Sequence, residues 1–232
     1  MAVNAVEVLD LYKRKRAKDK LILIPILDDD ESTIGFLRPI TADFDRTIPD
    51  CVQLLDRWRA DNPTLSPSRF PITHERTRRW ITDSIINNDK RILFMIQDLS
   101  CRNVGHIGFT NIDWELQSAE VDLVLRGERV NIPGFMRHGM AALIQWGTQD
   151  LLIKHIDLVV LPYNEHAISF YQSCGFQKDG IVPLLKVEDN DEISWIRCKE
   201  FVPDPEFYFL HMSLHGTERG VFHAGLQQGS SC

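Results

Sequence analysis

The chain has 232 residues, of which 44% are hydrophobic and 25% are charged. These values are those of a globular protein, and the length suits one domain, or one domain with a small appendage. The formal net charge is -7. An acidic balance argues against a general nucleic-acid binder, because such proteins gain their affinity by neutralising phosphates.

The cysteines are few, scattered and without a C-x-x-C pair: Cys51, Cys101, Cys174, Cys198 and Cys232. This pattern predicts neither a disulfide framework nor a zinc site, and it is typical of a reducing compartment. The apolar runs are shorter than the roughly 18 residues that a membrane span needs. We therefore expect a cytoplasmic protein with no metal and with neither a membrane nor a nucleic acid as partner.

The first 34 residues are predicted to form an N-terminal extension. A charged helix is expected within residues 1–20 and a short strand at Leu21–Leu27. A second strand is predicted at Phe36–Ile40. Two helices follow it, because apolar residues recur there at helical spacing: Ile48, Val52, Leu55 and Trp58 in the first, and Trp80, Ile81 and Ile85 in the second.

The centre of the sequence is predicted to be an antiparallel meander. Short polar segments separate three apolar or alternating runs: Ile92–Ile96, Val104–Ile112 and Ala119–Leu125. Strict alternation in the third run predicts one face with Ala119, Val121, Leu123 and Leu125, and an opposite face with Glu120, Asp122 and Val124. An amphipathic helix is then expected from about Pro133 to Leu151.

A buried strand and a short helix are predicted next. The strand is the apolar run Ile156–Leu161, which only Asp157 interrupts. The helix begins at Asn164, which can cap it, and ends near Cys174. Gly175 suits the left-handed position just past the end of such a helix.

The remaining sequence predicts strands and a tail. Ile181–Lys186 and Ile193–Cys198 are expected to form a hairpin around a Val187–Glu192 loop, and Glu206–Leu214 to form the final strand. Residues 215–232 are predicted to be a flexible tail. The order of the elements indicates the α+β class, with one mixed sheet and helices packed on its faces.

One segment carries a resemblance to a known family. Leu161-Pro-Tyr-Asn-Glu-His-Ala-Ile-Ser-Phe-Tyr-Gln-Ser-Cys-Gly-Phe176 resembles the signature of the GNAT acyltransferases, in which a strand ends at Asn and a helix carries Ala-Ile-x-Phe-Tyr before Gly-Phe. The resemblance covers about residues 35 to 214. It implies a mixed, mostly antiparallel sheet that splays between two strands, Ala119–Leu125 and Ile156–Leu161, with helices on both faces. It also implies acetyl-CoA, or another acyl-CoA, as the donor.

The resemblance assigns cofactor contacts to two segments and a cap. Backbone groups of Leu123, Val124 and Leu125 would pair with the pantetheine arm. The pyrophosphate would lie at the helix N-terminus near Pro133, where unpaired amides and the helix dipole favour an anion. The residues assigned there are Asn131, Gly134, Phe135, Met136 and Arg137, and Asn164 would contact the arm or act only as a helix cap.

This pyrophosphate segment departs from the family pattern. The family reads Arg or Gln, two residues, Gly, one residue, then Gly or Ala, whereas Asn131–Met136 keeps only Gly134. Met136 stands where a tiny residue is usual. Nearby cations could replace the missing contacts: Arg129, Arg137 and His138. The departure leaves open whether CoA binds through a modified segment or binds weakly.

Acyl transfer to an amine requires a base for the amine and an acid for the departing thiolate. Tyr171 matches the family's general acid. Glu120 is the first candidate for the base, His106 the second and Asp122 the third. Two carboxylates on one strand face raise each other's pKa, and a histidine already titrates near neutrality.

The acceptor amine is open to several interpretations. Arg76 and Arg79 belong to a cationic cluster that, with Asp122, would bind a nucleotide-linked amino sugar, because the guanidinium group favours phosphate. Direct transfer in a ternary complex to that sugar amine is the first hypothesis. Alternatives are a polyamine, which predicts several acidic residues on the acceptor side, an antibiotic or peptide amine, or a non-catalytic module that binds acyl-CoA. A homodimer is also compatible with the sequence.

Overall fold

The computed structural model describes residues 5–14, 19–63, 66–68, 71–189, 192–198 and 205–215. The predicted tail lies outside these residues from 216 onward, as does part of the helix predicted within residues 1–20.

Nine strands form one sheet within the described residues, in the order β1-β2-β3-β4-β5-β6-β9-β7-β8. Only β5 and β6 pair in parallel, and the other neighbours pair antiparallel. The predicted meander is confirmed as β3, β4 and β5. The strands are β1 Ile24–Leu27, β2 Thr33–Pro39, β3 Ile92–Asp98, β4 Asn103–Asp113, β5 Ser118–Arg126, β6 His155–Val160, β7 Phe176–Asp189, β8 Glu192–Arg197 and β9 Phe207–Leu214.

Helices cover both faces of this sheet, as the resemblance predicted. They are α1 Ala5–Tyr12, α2 Phe44–Thr47, α3 Cys51–Ala60, α4 His74–Trp80 with the π-helical segment Ile81–Ile86 after it, α5 Phe135–Gln149 and α6 Glu165–Ser173. The larger core lies under α1, α5 and α6, and the smaller core lies under α2, α3 and the π-helical segment. The α+β class is therefore confirmed.

The N-terminal segment packs into the larger core. Strand β1 pairs with β2, and Leu9 and Ile26 are fully buried. Tyr12 packs edge-on against Trp146 of α5, with ring centroids 4.9 Å apart. Pro25 is tolerated because β1 is an edge strand, where one side of the backbone needs no partner.

The predicted Val187–Glu192 loop is wrong for most of its length. Strand β7 continues to Asp189 and β8 begins at Glu192, with Val187 opposite Ser194. The polar sequence that suggested a loop belongs instead to a hairpin whose side chains are largely exposed. Polarity does not end a strand when neither face of it has to be buried.

Candidate active site

The sheet opens between β5 and β6. Their parallel pairing begins with Ser118 opposite His155 and ends with Glu120 opposite Asp157. Beyond that point β5 runs on to Arg126 and β6 to Val160, so the two strands diverge. The predicted splay is thus present, and it places the second half of β5 beside an open gap.

A β-bulge interrupts β5 at Leu123. The residue has a left-handed backbone with φ of 56°, and the pairing register with β4 shifts opposite it. The Leu123 amide donates to Asp122 Oδ1 at 2.7 Å, and the Leu123 carbonyl accepts from His106 Nδ1 at 2.5 Å. Both backbone groups of this residue are therefore held by side chains of the chain itself.

The bulge makes the predicted facing of β5 wrong. Ala119, Val121 and Val124 contact the larger core, whereas Leu123 and Leu125 contact the smaller one. One extra residue in a strand moves all following side chains to the other face. Three residues were assigned to the pantetheine arm. The amide of Leu123 already donates to the Asp122 side chain, whereas Val124 and Leu125 lie after it in the strand.

The N-terminus of α5 provides the predicted pyrophosphate position. Gly134 occupies the cap in a left-handed conformation with φ of 70°. Asn131 is exposed, Phe135 is buried with its ring against Gly35, and Met136 is half-buried against the larger core. The side chains of Phe135 and Met136 turn to the core, so they cannot contact an anion at the helix start. The Phe135 amide donates to the Ile132 carbonyl at 3.3 Å, which leaves the Met136 amide as the contact these two residues could offer.

Arg137 and Asn164 have partners within the chain. Arg137 Nη2 lies 3.4 Å from Asp29 Oδ2, at the surface. Asn164 Oδ1 accepts a hydrogen bond from the Ala167 amide at 3.1 Å, so this side chain caps α6. Its assigned contact with the CoA arm stays a prediction.

Tyr171 lies on α6, half-buried between Phe170 and Phe176, with ring centroids 5.5 Å and 6.3 Å away. Burial raises the pKa of its phenol well above the usual range, and the charge of Asp122 raises it further. Tyr171 is therefore protonated at neutral pH and can act as a proton donor. The effect of Asp122 means that the Tyr171 phenol lies within electrostatic range of that carboxyl group.

Three carboxylates meet where the sheet opens. Glu120 is buried, and Arg197 of β8 binds it through two hydrogen bonds of 2.5 Å each. Burial raises the pKa of Asp122, and the charge of Glu120 adds to this rise. The pKa of Asp157 is raised by the same two causes in the same order. Asp157 also lies 3.4 Å from His211 Nε2.

The β7–β8 hairpin closes over this carboxylate group. The Trp195 amide donates to Ser68 Oγ at 3.2 Å, which joins β8 to the segment before α4. Trp195 packs on Phe207 with centroids 4.8 Å apart, and the Arg197 guanidinium lies 5.9 Å from the Phe209 ring centroid. Through Arg197 the Phe209 ring lies near Glu120, and Trp195 and Phe207 pack on each other on the same two strands, β8 and β9.

His106 is buried opposite the bulge, with its ring 6.0 Å from that of Trp58. Burial lowers the pKa of His106 to about 4, although its bond to the Leu123 carbonyl acts in the opposite direction. Because Nδ1 donates that bond, the neutral ring carries its proton on Nδ1. This arrangement holds the backbone of the bulge rather than offering a base near neutrality.

The predicted acceptor residues Arg76 and Arg79 lie elsewhere. Both are exposed on α4, and Arg79 pairs with Glu75 at 2.8 Å along the same helix. Helix α4 packs mainly against α3 and the π-helical segment. Their role in binding phosphate stays a prediction.

Arg197 and Asp157 were missed in the sequence. No local pattern marks Arg197, because it reaches Glu120 only when the fold brings the edge strand β8 back to β5. Asp157 lies on the neighbouring strand β6, and its charge within the apolar run Ile156–Leu161 was the signal that could have marked it. Within the described part of the chain, no group of three or more His, Cys, Asp or Glu side chains could hold a metal ion. None of the described helices is long and apolar enough to cross a membrane.

Comparison with known proteins agrees with this geometry. The model of the acetyltransferase (GNAT) domain family matches residues 36–177, more than half of the chain. The chain therefore belongs to that family. It is an N-acetyltransferase of the GNAT type, and such enzymes use acetyl-CoA as donor. A search of curated proteins finds no match.

Solved structures show the same fold. A spermidine N-acetyltransferase chimera of Vibrio cholerae SpeG and hSSAT has a TM-score of 0.56 at 16% identity, covering 78% of this chain and 95% of the other. The Vibrio cholerae spermidine/spermine N-acetyltransferase SpeG with manganese has a TM-score of 0.53 at 16% identity, covering 78% and 91%. At this identity the likeness shows the fold alone.

Proposed function

We propose that this enzyme transfers the acetyl group of acetyl-CoA to a small aliphatic amine of the polyamine class, in a ternary complex. The observation that carries the proposal is the group of three carboxylates where the sheet opens: Glu120 and Asp122 are two residues apart on β5, Asp157 lies opposite Glu120 on β6, and the charge of Asp122 acts on Tyr171. A site lined by carboxylates attracts cations and disfavours diphosphates.

The residues present fit acetyl-CoA as the donor. The gap between β5 and β6 leaves the outer side of Val124 and Leu125 available for strand-like pairing with the pantetheine arm. Gly134 precedes the first turn of α5, where the Phe135 amide donates to the Ile132 carbonyl and the amides after it would face the pyrophosphate. Arg137 lies in the first turn of that helix and could exchange its surface partner Asp29 for a phosphate.

The catalytic roles follow from partners and protonation states. Tyr171 stays protonated and would donate its proton to the departing sulfur. Asp122 is the base that we favour, because its raised pKa brings it closer to the working range of a proton acceptor. Glu120 is less suited, since both of its oxygens accept from Arg197. His106 is less suited because its pKa is lowered to about 4.

Aromatic rings add to the preference for a cation. The Phe209 ring lies near the Arg197 guanidinium that binds Glu120, and ring faces attract ammonium groups. The solved structures of similar fold include spermidine acetyltransferases. That likeness supports the polyamine class over the nucleotide-linked amino sugar, for which Arg76 and Arg79 are the remaining argument.

We also propose a cytoplasmic location. Cys51, Cys101, Cys174 and Cys198 are free thiols, which suits a reducing compartment. Assembly as a homodimer stays a prediction of the sequence.

The acceptor class can be tested by thiol release from acetyl-CoA with a panel of amines. We would compare diaminobutane, spermidine, butylamine, a nucleotide-linked amino sugar and a peptide with a free N-terminus. We expect the highest kcat/KM with diaminobutane or spermidine. The KM for these cations should rise with added salt, because salt screens their attraction to the carboxylates.

Two other outcomes would contradict this assignment. Turnover confined to the nucleotide-linked sugar would favour the arginines of α4 as the acceptor site. The absence of thiol release with every amine, together with acetyl-CoA binding in calorimetry, would identify a non-catalytic acyl-CoA-binding module.

A further inference from the structure

An ion pair joins the edge strand β8 to β5 at the carboxylate group. In the order of the sheet, three strands separate β8 from β5. Even so, the Arg197 guanidinium reaches Glu120 with both terminal nitrogens at 2.5 Å. Arg197 therefore fastens the hairpin over the carboxylates by a contact that the sheet itself does not require.

The two partners differ in their surroundings. The Glu120 side chain is 7% exposed, whereas that of Arg197 is 38% exposed. Glu120 also accepts from Asn111 Nδ2 at 3.2 Å, and it lies on a strand paired on both sides. A buried carboxylate needs a cation beside it, because an unpaired buried charge is strongly destabilising. Because Glu120 is buried, its carboxylate keeps its place and always requires a cation. Because Arg197 is partly exposed, its guanidinium can move into water and be replaced by another cation.

The position of Glu120 suits the far end of a diamine. Glu120 and Asp122 are two residues apart on one strand face before the bulge. Such positions lie about 6.5 Å apart along a strand, a span that a short aliphatic diamine can bridge. If the reacting amine lies at Asp122, the second ammonium reaches the place that the Arg197 guanidinium now holds.

We propose that Arg197 is a specificity-determining residue that competes with the acceptor. Its guanidinium stands in for the second ammonium of a diamine on Glu120, and a bound diamine displaces it. This inference rests on the proposed acceptor class. A monoamine, which has no second charge, binds without displacing Arg197.

The test compares Arg197→Met with Lys186→Met, using diaminobutane and butylamine, which share a carbon chain. Lys186 lies on the same hairpin and pairs with Glu188, so its variant removes an equal charge without touching Glu120. We expect Arg197→Met to lower the KM for diaminobutane about fivefold, the gain from removing a half-exposed ion pair. The KM for butylamine should not change, and Lys186→Met should change neither.

An unchanged or higher KM for diaminobutane in Arg197→Met would overturn the proposal, and so would an equal shift for both amines. Melting curves establish whether the variant is folded. If it is not, Arg197→Lys decides: it keeps the charge but loses the two-pronged contact, and the proposal requires a lower KM for the diamine alone. If wild type and variants acetylate another acceptor but neither amine of this pair, the acceptor class has failed, and the competition with it. If butylamine alone is turned over, calorimetry with diaminobutane decides, because competition requires tighter binding to Arg197→Met than to wild type.

Discussion

At the scale of residues, the two carboxylates of β5 have separate roles. Alternation along the strand correctly predicted that Glu120 and Asp122 project to one side. Their different partners could not be predicted, because Arg197 comes from a strand 77 positions away in the chain. Arg197 pairs with Glu120. Burial and the charge of Glu120 raise the pKa of Asp122.

We predict that Asp122→Asn lowers kcat by about tenfold to a hundredfold, the usual contribution of a general base. The variant should also melt at a higher temperature at neutral pH. The folded state raises the pKa of Asp122, so the ionised carboxyl destabilises the fold at pH values above that pKa. Asparagine removes the charge and keeps an oxygen for the Leu123 amide.

The stability difference should shrink as the pH falls through the raised pKa and vanish below pH ~3, where the carboxyl is protonated in both the folded and the unfolded state. Thermal melts across this range and thiol-release assays measure both effects. Asp83→Asn, on the exposed surface of the π-helical segment, is the matched control. An Asp122→Asn variant with the kcat of the wild type would rule out this residue as the base.

His106 shows how burial overrides an intrinsic property. A free imidazole titrates near neutrality, which made His106 a reasonable candidate from its residue type alone. Its burial under Trp58 lowers the pKa to about 4, and burial of this kind is a tertiary effect with no local sequence pattern. Tyr171 was recognised because the residues around it follow a family signature; its catalytic role stays a proposal.

At the scale of elements, the strands and helices were largely predictable, but the bulge in β5 was not. A leucine in the left-handed region is uncommon, and nothing in the sequence Asp122-Leu123-Val124 marks it. The bulge depends on the partners that hold it, Asp122 on one side and His106 on the other. Periodicity predicted the strand correctly and the facing of its second half incorrectly.

Helix α5 offers a matched pair of glycine substitutions, one at its N-terminal cap and one inside the helix. Gly134→Ala should cost about 1 kcal/mol, because a side chain is strained at its left-handed φ of 70°. It should also weaken acetyl-CoA binding by shifting the amides of the helix start. Gly139→Ala, inside the same helix, would meet its neighbours at 3.8 Å or more. It should add about 0.5–1 kcal/mol of stability and leave acetyl-CoA binding unchanged.

Calorimetry with acetyl-CoA and denaturant melts would measure both variants. Equal acetyl-CoA affinity in Gly134→Ala and wild type, with the loss of stability as expected, would place the pyrophosphate away from α5. The altered Asn131–Met136 segment would then have no part in binding CoA.

At the scale of the whole molecule, the fold class and the acetyltransferase family could be predicted from element order and one signature. The packing of the N-terminal segment into the larger core could not be predicted. The family model begins at residue 36, yet Leu9, Tyr12 and Ile26 are buried in the larger core. The sequence pattern of this segment is charged and short, and its packing depends on contacts with β2 and with α5, which is distant in the chain.

The central claim is acetyl transfer from acetyl-CoA with Tyr171 as the proton donor. The most direct measurement is thiol release with diaminobutane by wild type and by Tyr171→Phe, alongside acetyl-CoA affinity from calorimetry. We predict at least about a tenfold lower kcat with unchanged acetyl-CoA affinity, because phenylalanine keeps the packing against Phe176 and loses only the hydroxyl. A Tyr171→Phe variant as fast as the wild type would contradict the account.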